Sequence, residues 1–142
     1  MNIAIGADHG GYTLKQKIIL LLEQLHHEVY DAGCYSLQSV DYPQFAEAVC
    51  KRIIDGESAF GILICGTGIG MSIAANRNRK IRAANCHNEY TARMSREHNN
   101  ANVLCLGERV LGDAVAEEIV KVWLKTEFAG GRHQQRVQQY SE

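Results

Sequence analysis

The segment from Phe60 to Cys65 constrains the fold of this chain more than any other feature. Its residues, Phe-Gly-Ile-Leu-Ile-Cys, show no alternation between apolar and polar side chains. Such a run is typical of a strand that is covered on both faces, as in a parallel sheet flanked by helices. A glycine-rich turn, Cys65-Gly66-Thr67-Gly68-Ile69-Gly70, follows it directly.

Short apolar runs alternate with longer amphipathic runs along the rest of the chain. The predicted strands are residues 2–6, 28–32, 60–65, 81–86 and 102–106. The predicted helices are residues 11–26, a helix opened by Pro43 and ended by Gly56, and residues 68–77, 88–98 and 112–127. This alternation predicts a three-layer, doubly wound (Rossmann-like), five-stranded parallel sheet with helices on both faces and a C-terminal helical tail. A chain of 142 residues without a linker or repeat fits a single domain, residues 1–142.

Composition argues against several classes of protein. Lys and Arg total 15 against 16 Asp and Glu, so no net positive field recruits nucleic acid or an anionic membrane. The strongest apolar run, Ile18 to Leu22, is too short to span a bilayer. The five cysteines have no metal-ligand spacing. Because no secretory signal precedes them, we expect reduced thiols and a cytoplasmic protein.

The glycine-rich turn is the strongest candidate for a binding loop. In doubly wound sheets, ligands bind at the carboxyl ends of the strands, and glycines leave backbone N–H groups free to hold an anion. A dinucleotide-binding loop would need glycine at position 71, and a cysteine-phosphatase loop would need arginine there. Position 71 is Met71, and no Gly-Lys-Ser/Thr triplet occurs. These three alternatives are therefore weakened.

Cys65 differs from the other four cysteines, which we interpret as small buried apolar side chains. Helix-terminal N–H groups and the Thr67 hydroxyl could favour its thiolate form. A thiolate beside a glycine-lined anion site suits the removal of a proton next to a carbonyl group.

Histidines and arginines supply further candidates. Asp8 and His9 follow the first predicted strand, and His98 follows the fourth helix. We expect His9 and His98 to lie on the ligand side of the sheet, where histidine could exchange protons near neutral pH. Arg132 and Arg136 lie four residues apart after a Gly-Gly pair, which suggests a phosphate clamp; a solvated basic tail is the alternative.

These residues resemble the type B ribose-5-phosphate isomerases of the ribose/galactose isomerase family over nearly the whole chain. The stretches that carry the resemblance are Gly6-Ala7-Asp8-His9-Gly10-Gly11, Asp41-Tyr42-Pro43, Gly61 to Gly70, Ser95-Arg96-Glu97-His98-Asn99, Gly107-Glu108-Arg109-Val110, and Gly130 to Val137.

The resemblance implies conversion of D-ribose 5-phosphate to D-ribulose 5-phosphate through a cis-enediolate, in the non-oxidative branch of the pentose phosphate pathway. It implies that Cys65 is the base, supported by Thr67, and that His98 is the acid that opens the sugar ring. The remaining positions that it carries over as substrate contacts are Asp8, His9, Gly66, Gly68, Ile69, Gly70, Asn99, Arg109, Arg132 and Arg136. It further implies a homodimer whose active sites take residues from both subunits, with a dimer of dimers as a possible larger assembly, and no metal or other cofactor.

Other functions remain open from the sequence. An isomerase of a six-carbon phosphosugar, such as allose 6-phosphate or galactose 6-phosphate, would carry similar motifs. A non-catalytic sugar-phosphate sensor would keep the arginines but would need no base such as Cys65. A receiver-like signalling domain would need an acidic cluster at the strand ends, where only Asp8 is found.

Overall fold

A computed structural model describes residues 1–142. The strands are β1 (Asn2–Ala7), β2 (Glu28–Asp31), β3 (Phe60–Cys65), β4 (Ala83–Asn85) and β5 (Val103–Gly107). The helices are α1 (Tyr12–Gln24), α2 (Tyr42–Ile54), α3 (Ile69–Ala75), α4 (Glu89–Glu97), α5 (Asp113–Lys125) and α6 (Arg132–Val137). All strand pairs are parallel, in the order β2-β1-β3-β5-β4. The predicted fold class is confirmed, including the helical tail.

Two apolar layers cover the sheet. Side chains alternate along β1, so that Ile3 and Ile5 face one layer and Ala4 faces the other. The first layer contains α1, α4 and α5, with Trp123 fully buried and its ring edge-on to Phe60 at 5.0 Å. The second contains α2 and α3. Because β3 lies in the middle of the sheet, its apolar run is buried on both faces as predicted.

The fourth strand is shorter than the predicted 81–86. It lies at the edge of the sheet, and its outer backbone groups are paired with side chains instead of another strand. The Asn76 amide donates to the Ala83 carbonyl at 2.9 Å and accepts the Ala83 N–H at 2.8 Å. Before Ala83, the Ile81 N–H donates to the Asn78 carbonyl at 3.0 Å and the Arg82 N–H donates to the Asn102 side-chain oxygen at 2.7 Å, so the regular strand begins only at Ala83.

The path of α4 corrects the predicted position of His98. The helix starts after β4 at the carboxyl edge of the sheet, with Asn88 as its N-cap, and runs back to end at His98 before β5 begins. His98 therefore lies at the amino edge, and the prediction that it shares the ligand side with His9 is wrong for a single chain. A helix that connects two parallel strands must return to the edge where the next strand starts.

Two further properties bear on the sequence predictions. All five cysteines are unpaired and buried. None of the six helices has both the length and the apolar character required to cross a membrane.

Candidate active site

The loops that follow β3 and β5 are joined by backbone hydrogen bonds. The N–H of Glu108 donates to the Cys65 carbonyl at 2.9 Å, and the N–H of Arg109 donates to the Gly66 carbonyl at 3.0 Å. Cys65 also pairs with Gly107 in the sheet register. These contacts hold the glycine-rich turn and the Arg109 loop as one rigid unit at the carboxyl edge.

Within that unit, the Cys65 thiol is held by the turn that follows it. Its sulfur is buried and accepts the backbone N–H of Gly68 at 3.1 Å. Gly68 has φ +82°, and the amide oxygen of Asn85 occupies the space that a Cβ atom would need. A side chain at position 68 would therefore be both strained and obstructed. The turn thus depends on glycine to bring its N–H to the sulfur.

The turn also presents free hydrogen-bond donors. The N–H groups of Gly66 and Thr67 find no acceptor within the chain. The Thr67 hydroxyl accepts the Ile69 N–H at 3.2 Å and forms no hydrogen bond with the Cys65 thiol. Successive free N–H groups in a turn attract a negatively charged oxygen. The predicted anion-binding character of the turn is therefore supported, whereas Thr67 acts on the turn and not directly on the sulfur.

Asp8 and His9 flank the turn from β1. The Asp8 carboxylate is buried and accepts the Gly10 N–H at 2.9 Å. Gly10 lies against Gly66, since a Cβ atom on Gly10 would be 3.3 Å from the Gly66 nitrogen. The Nδ1 atom of His9 accepts a hydrogen bond from the N–H of Val40 at 3.2 Å. In the neutral ring this contact leaves the proton on Nε2, which is then a donor to a ligand.

Arg109 adds positive charge to this edge. Its guanidinium lies over Gly66, with Nη1 3.2 Å from the position that a Cβ atom on Gly66 would take. The neighbouring Glu108 carboxylate instead accepts the Leu14 N–H at 2.6 Å and so holds the start of α1. The carboxyl edge thus contains the predicted residues Asp8, His9, Cys65, Gly66, Thr67, Gly68, Ile69, Gly70 and Arg109.

The other predicted residues form a second cluster at the amino edge. The rings of His98 and His133 stack in parallel, with centroids 4.2 Å apart and planes at 11°. Asn99 donates from its amide to the Tyr140 hydroxyl at 3.4 Å. The second cluster consists of His98, Asn99, Arg132, His133 and Arg136; both arginines are exposed on α6.

Positive charge is concentrated in the second cluster. Partial desolvation lowers the pKa of His133, and the neighbouring charges of His98, Arg132 and Arg136 lower it further, while Glu97 opposes the shift. A group of cations without a matching number of carboxylates suits an anion such as phosphate.

One chain does not bring the two clusters together. They lie at opposite ends of β5, whose five residues extend over about 16 Å. A molecule the size of a pentose phosphate cannot contact Cys65 and His98 of the same chain.

No group of three or more His, Cys, Asp or Glu side chains is arranged to hold a metal ion.

Sequence reasoning missed three contributors. Asn85 ends β4 and supports the turn by donating to the Thr67 carbonyl at 3.3 Å; its place at the carboxyl end of a strand could have revealed it. Tyr42 lies against Gly70, where a Cβ atom would be 2.6 Å from its ring. His133 lies in a recognised stretch but had no assigned role, and only its contact with His98 reveals one.

Comparisons with known proteins identify the family of this chain. The sequence model of the Ribose/Galactose Isomerase family matches residues 3–140. Ribose-5-phosphate isomerase B of Escherichia coli is 48% identical over 96% of this chain and 92% of its own length. D-erythrulose-4-phosphate isomerase of Pectobacterium atrosepticum is 45% identical over 92% of this chain and 87% of its own.

A solved structure of ribose-5-phosphate isomerase B from Clostridium thermocellum superposes with a TM-score of 0.97. It is 55% identical and covers 98% of this chain and 94% of that chain. The match extends over both edges of the sheet and the helical tail. This chain therefore belongs to the ribose/galactose isomerase family.

Proposed function

We propose that this chain interconverts D-ribose 5-phosphate and D-ribulose 5-phosphate through a cis-enediolate, in the non-oxidative branch of the pentose phosphate pathway. The observation that carries the proposal is the buried Cys65 sulfur beside the free N–H groups of Gly66 and Thr67. That pair of features offers a base and an oxyanion site within one turn. The names of the relatives support the substrate, and the free state of the five cysteines suits a reducing cytoplasm.

In this proposal the Cys65 thiolate removes the proton from C2 of the open-chain aldose. The electron pair moves to the carbonyl, and the developing negative charge on oxygen is held by the N–H groups of Gly66 and Thr67. The proton of the C2 hydroxyl passes to the C1 oxygen, which moves the negative charge of the enediolate to the C2 oxygen. The proton on Cys65 then returns to C1 as the C2 carbonyl forms, so that atoms and charge balance and Cys65 is again a thiolate. Asp8 and the Nε2–H of His9 contact the sugar oxygens, and Arg109 provides positive charge beside the turn.

The remaining residues come from a second copy of the chain. We propose a homodimer in which one subunit's His98, Asn99, Arg132 and Arg136 approach the Cys65 edge of its partner; a dimer of dimers is a further assembly that this arrangement allows. Two observations support this. The clusters lie at opposite edges of one chain, and Ile69 and Ile73 of α3 are more than half exposed beside the turn. Exposed apolar residues next to an incomplete site are typical of a subunit interface.

Within the dimer, His98 donates the proton that opens the furanose ring, and Asn99 supports the enediolate. Arg132 and Arg136 bind the phosphate. Arginine suits this role because its planar fork can donate two parallel hydrogen bonds to one phosphate.

The main alternative is a substrate of another length, because one relative acts on a four-carbon sugar phosphate by its name and a six-carbon isomerase would carry similar motifs. The deciding experiment compares kcat/KM for four-, five- and six-carbon aldose phosphates. We expect the five-carbon substrate to give the highest value. A higher value for another length would change the assigned substrate, and no turnover on any of them would favour the non-catalytic sensor.

A further inference from the structure

Arg96, which has no assigned role in the site, is a buried cation without a carboxylate partner. Only 7% of the residue is exposed, and no ion pair of the chain includes it. Its guanidinium stacks over Phe60 and Trp123, with its central carbon 4.6 and 5.5 Å from the two ring centroids. Burying a charge without a counter-ion costs free energy. The hydrogen-bond acceptors that offset this cost therefore indicate the role of Arg96.

The hydrogen bonds of Arg96 connect two separate segments. Nη1 donates to the Ala101 carbonyl at 2.5 Å and to the Asn100 side-chain oxygen at 3.2 Å. Nε donates to the Thr126 carbonyl at 3.2 Å. Asn100 and Ala101 belong to the turn between α4 and β5, which carries His98 and Asn99. Thr126 is the C-cap of α5, directly after the helix, and the C-terminal tail begins there.

The same two segments meet again farther along the tail. The N–H of Ala129 donates to the Glu97 carbonyl at 3.0 Å, and the His98 ring stacks on His133. Four successive residues therefore fix the turn against the tail: Arg96 contacts Thr126, Glu97 contacts Ala129, His98 contacts His133, and Asn99 contacts Tyr140. Of these four residues only Arg96 is buried.

We propose that Arg96 is a positioning residue that holds the turn with His98 and Asn99 and the tail with Arg132 and Arg136 in one fixed arrangement. This inference rests on the proposed function, since it assigns a purpose to residues that the proposal places in the active site. Arg96 touches no substrate; it acts through the backbone of the two segments.

Arginine is the side chain that this position requires. Burial lowers the pKa of Arg96, and the nearby charge of Arg82 lowers it further, yet a guanidinium keeps its proton where an ammonium could lose it. Its planar fork also reaches carbonyl groups in two directions, while a lysine is a point charge. We therefore expect Arg96→Lys to keep the positive charge but not the hydrogen bonds that join the turn to the tail.

The test compares Arg96→Met, Arg96→Lys and a matched control, Arg52→Met. Arg52 also stacks on an aromatic ring, with its guanidinium 3.9 Å from the centroid of Tyr30, and it pairs with Glu57 at 2.5 Å. It contacts neither the turn nor the tail. The dissociation constant of inorganic phosphate and the KM for ribose 5-phosphate are measured well below the Tm of each variant, together with hydrogen exchange at Ala129.

If Arg96 positions the phosphate-binding arginines, Arg96→Met raises the phosphate dissociation constant and KM about tenfold or more. It also speeds hydrogen exchange at Ala129. Arg96→Lys shows the same three changes. Arg52→Met leaves the phosphate dissociation constant, KM and the exchange rate at Ala129 within about twofold of wild type, as expected for a residue outside the site. Wild-type constants in folded Arg96→Met overturn the inference, as would equal losses in Arg52→Met. If Arg96→Met does not fold, Arg96→Lys decides by the same criteria.

Failure of this inference can be distinguished from failure of the proposed function. Phosphate binding is measured without turnover, so a wild-type chain that binds phosphate but isomerises nothing would refute the isomerase and still permit the comparison. A wild-type chain that turns over, with Arg96 variants that bind phosphate normally, would refute the positioning role alone.

Discussion

The imidazole ring of His98 lies flat against that of His133, with 4.2 Å between their centroids. The contact joins the end of α4 to the C-terminal tail, which are far apart in the sequence. It also places two groups that can become cations face to face. The pKa of His133 should therefore report the charges of the second cluster.

We expect His133 to titrate below the ordinary histidine value of 6.5. Partial desolvation and the charges of His98, Arg132 and Arg136 cause this shift, so Arg136→Gln should raise the pKa of His133 and Glu97→Gln should lower it further. Since the pKa of His133 is lower in the folded state than in the unfolded state, the unfolded state binds more protons around pH 6.5. Protonation of His133 therefore destabilises the folded state, and this destabilisation grows as the pH falls through 6.5. Titration of the histidine ring signals by NMR measures the pKa of His133 in wild type, Arg136→Gln and Glu97→Gln. A His133 pKa at or above 6.5 in wild type would contradict the assigned electrostatics.

Replacement of the proposed base should remove activity but not the fold. We expect Cys65→Ala to lower kcat by at least about 100-fold, the usual contribution of a general base. The matched control is Cys50→Ala, because Cys50 is equally buried in the same apolar layer. The control should lose a similar amount of stability and keep its kcat. Steady-state kinetics with circular dichroism tests the pair; near-normal kcat in Cys65→Ala would require another base.

Selective alkylation gives a second test of Cys65. Burial raises the pKa of Cys50 to about 12, and it also raises the pKa of Cys86 and Cys105. These thiols should stay protonated and unreactive in mildly alkaline solution. We expect iodoacetamide to modify Cys65 in the native protein and ribose 5-phosphate to protect it, as measured by peptide mapping. Preferential modification of Cys50, Cys86 or Cys105 would contradict this prediction.

The glycine-rich turn should tolerate no side chain at position 68. Gly68→Ala would combine a left-handed backbone with a collision against Asn85, and such strain alone costs about 1–3 kcal/mol. Gly56→Ala is a matched control, since Gly56 has φ +76° but open space around it. We expect both variants to be less stable and only Gly68→Ala to lose isomerase activity. Equal kcat values in the two variants would show that the turn does not need its present shape.

Sequence reasoning succeeded where burial or glycine content marks the residues directly. The strand from Phe60 to Cys65 was predicted with its true bounds because both faces are buried, and the turn after it was recognised from its glycines. The predicted β4 is too long because the N–H groups of Ile81 and Arg82 bond to Asn78 and Asn102, and local apolar patterns do not show such contacts. The predicted edge for His98 is wrong because α4 returns to the amino edge of the sheet before it ends at His98.

The phosphate clamp can be tested by removing one arginine. We expect Arg136→Ala to raise KM about tenfold with a smaller change in kcat, because a charge-assisted hydrogen bond to phosphate contributes about 1.5–3 kcal/mol. Arg93→Ala is a suitable control, since Arg93 is exposed on α4 and only approaches Tyr90. An unchanged KM in Arg136→Ala would argue against the clamp.

The composite active site makes a quantitative prediction about mixed dimers. Cys65→Ala and His98→Asn should each be inactive alone, because each removes one component from both sites of its homodimer. In a mixed dimer, one site contains both substitutions and the other contains neither. Random reassembly makes half of the dimers mixed, so the mixture should regain about a quarter of wild-type activity. Unfolding and refolding the two variants together, followed by an isomerase assay, measures this value.

The control mixture contains Cys65→Ala and the double variant Cys65→Ala/His98→Asn, which share a missing base in every site. We expect no recovery there, whatever the efficiency of reassembly. No recovery in the first mixture, with mixed dimers demonstrated by mass spectrometry, would mean that Cys65 and His98 do not act across the subunit interface. Since the two residues lie at opposite edges of each chain, that result would also remove His98 from the reaction.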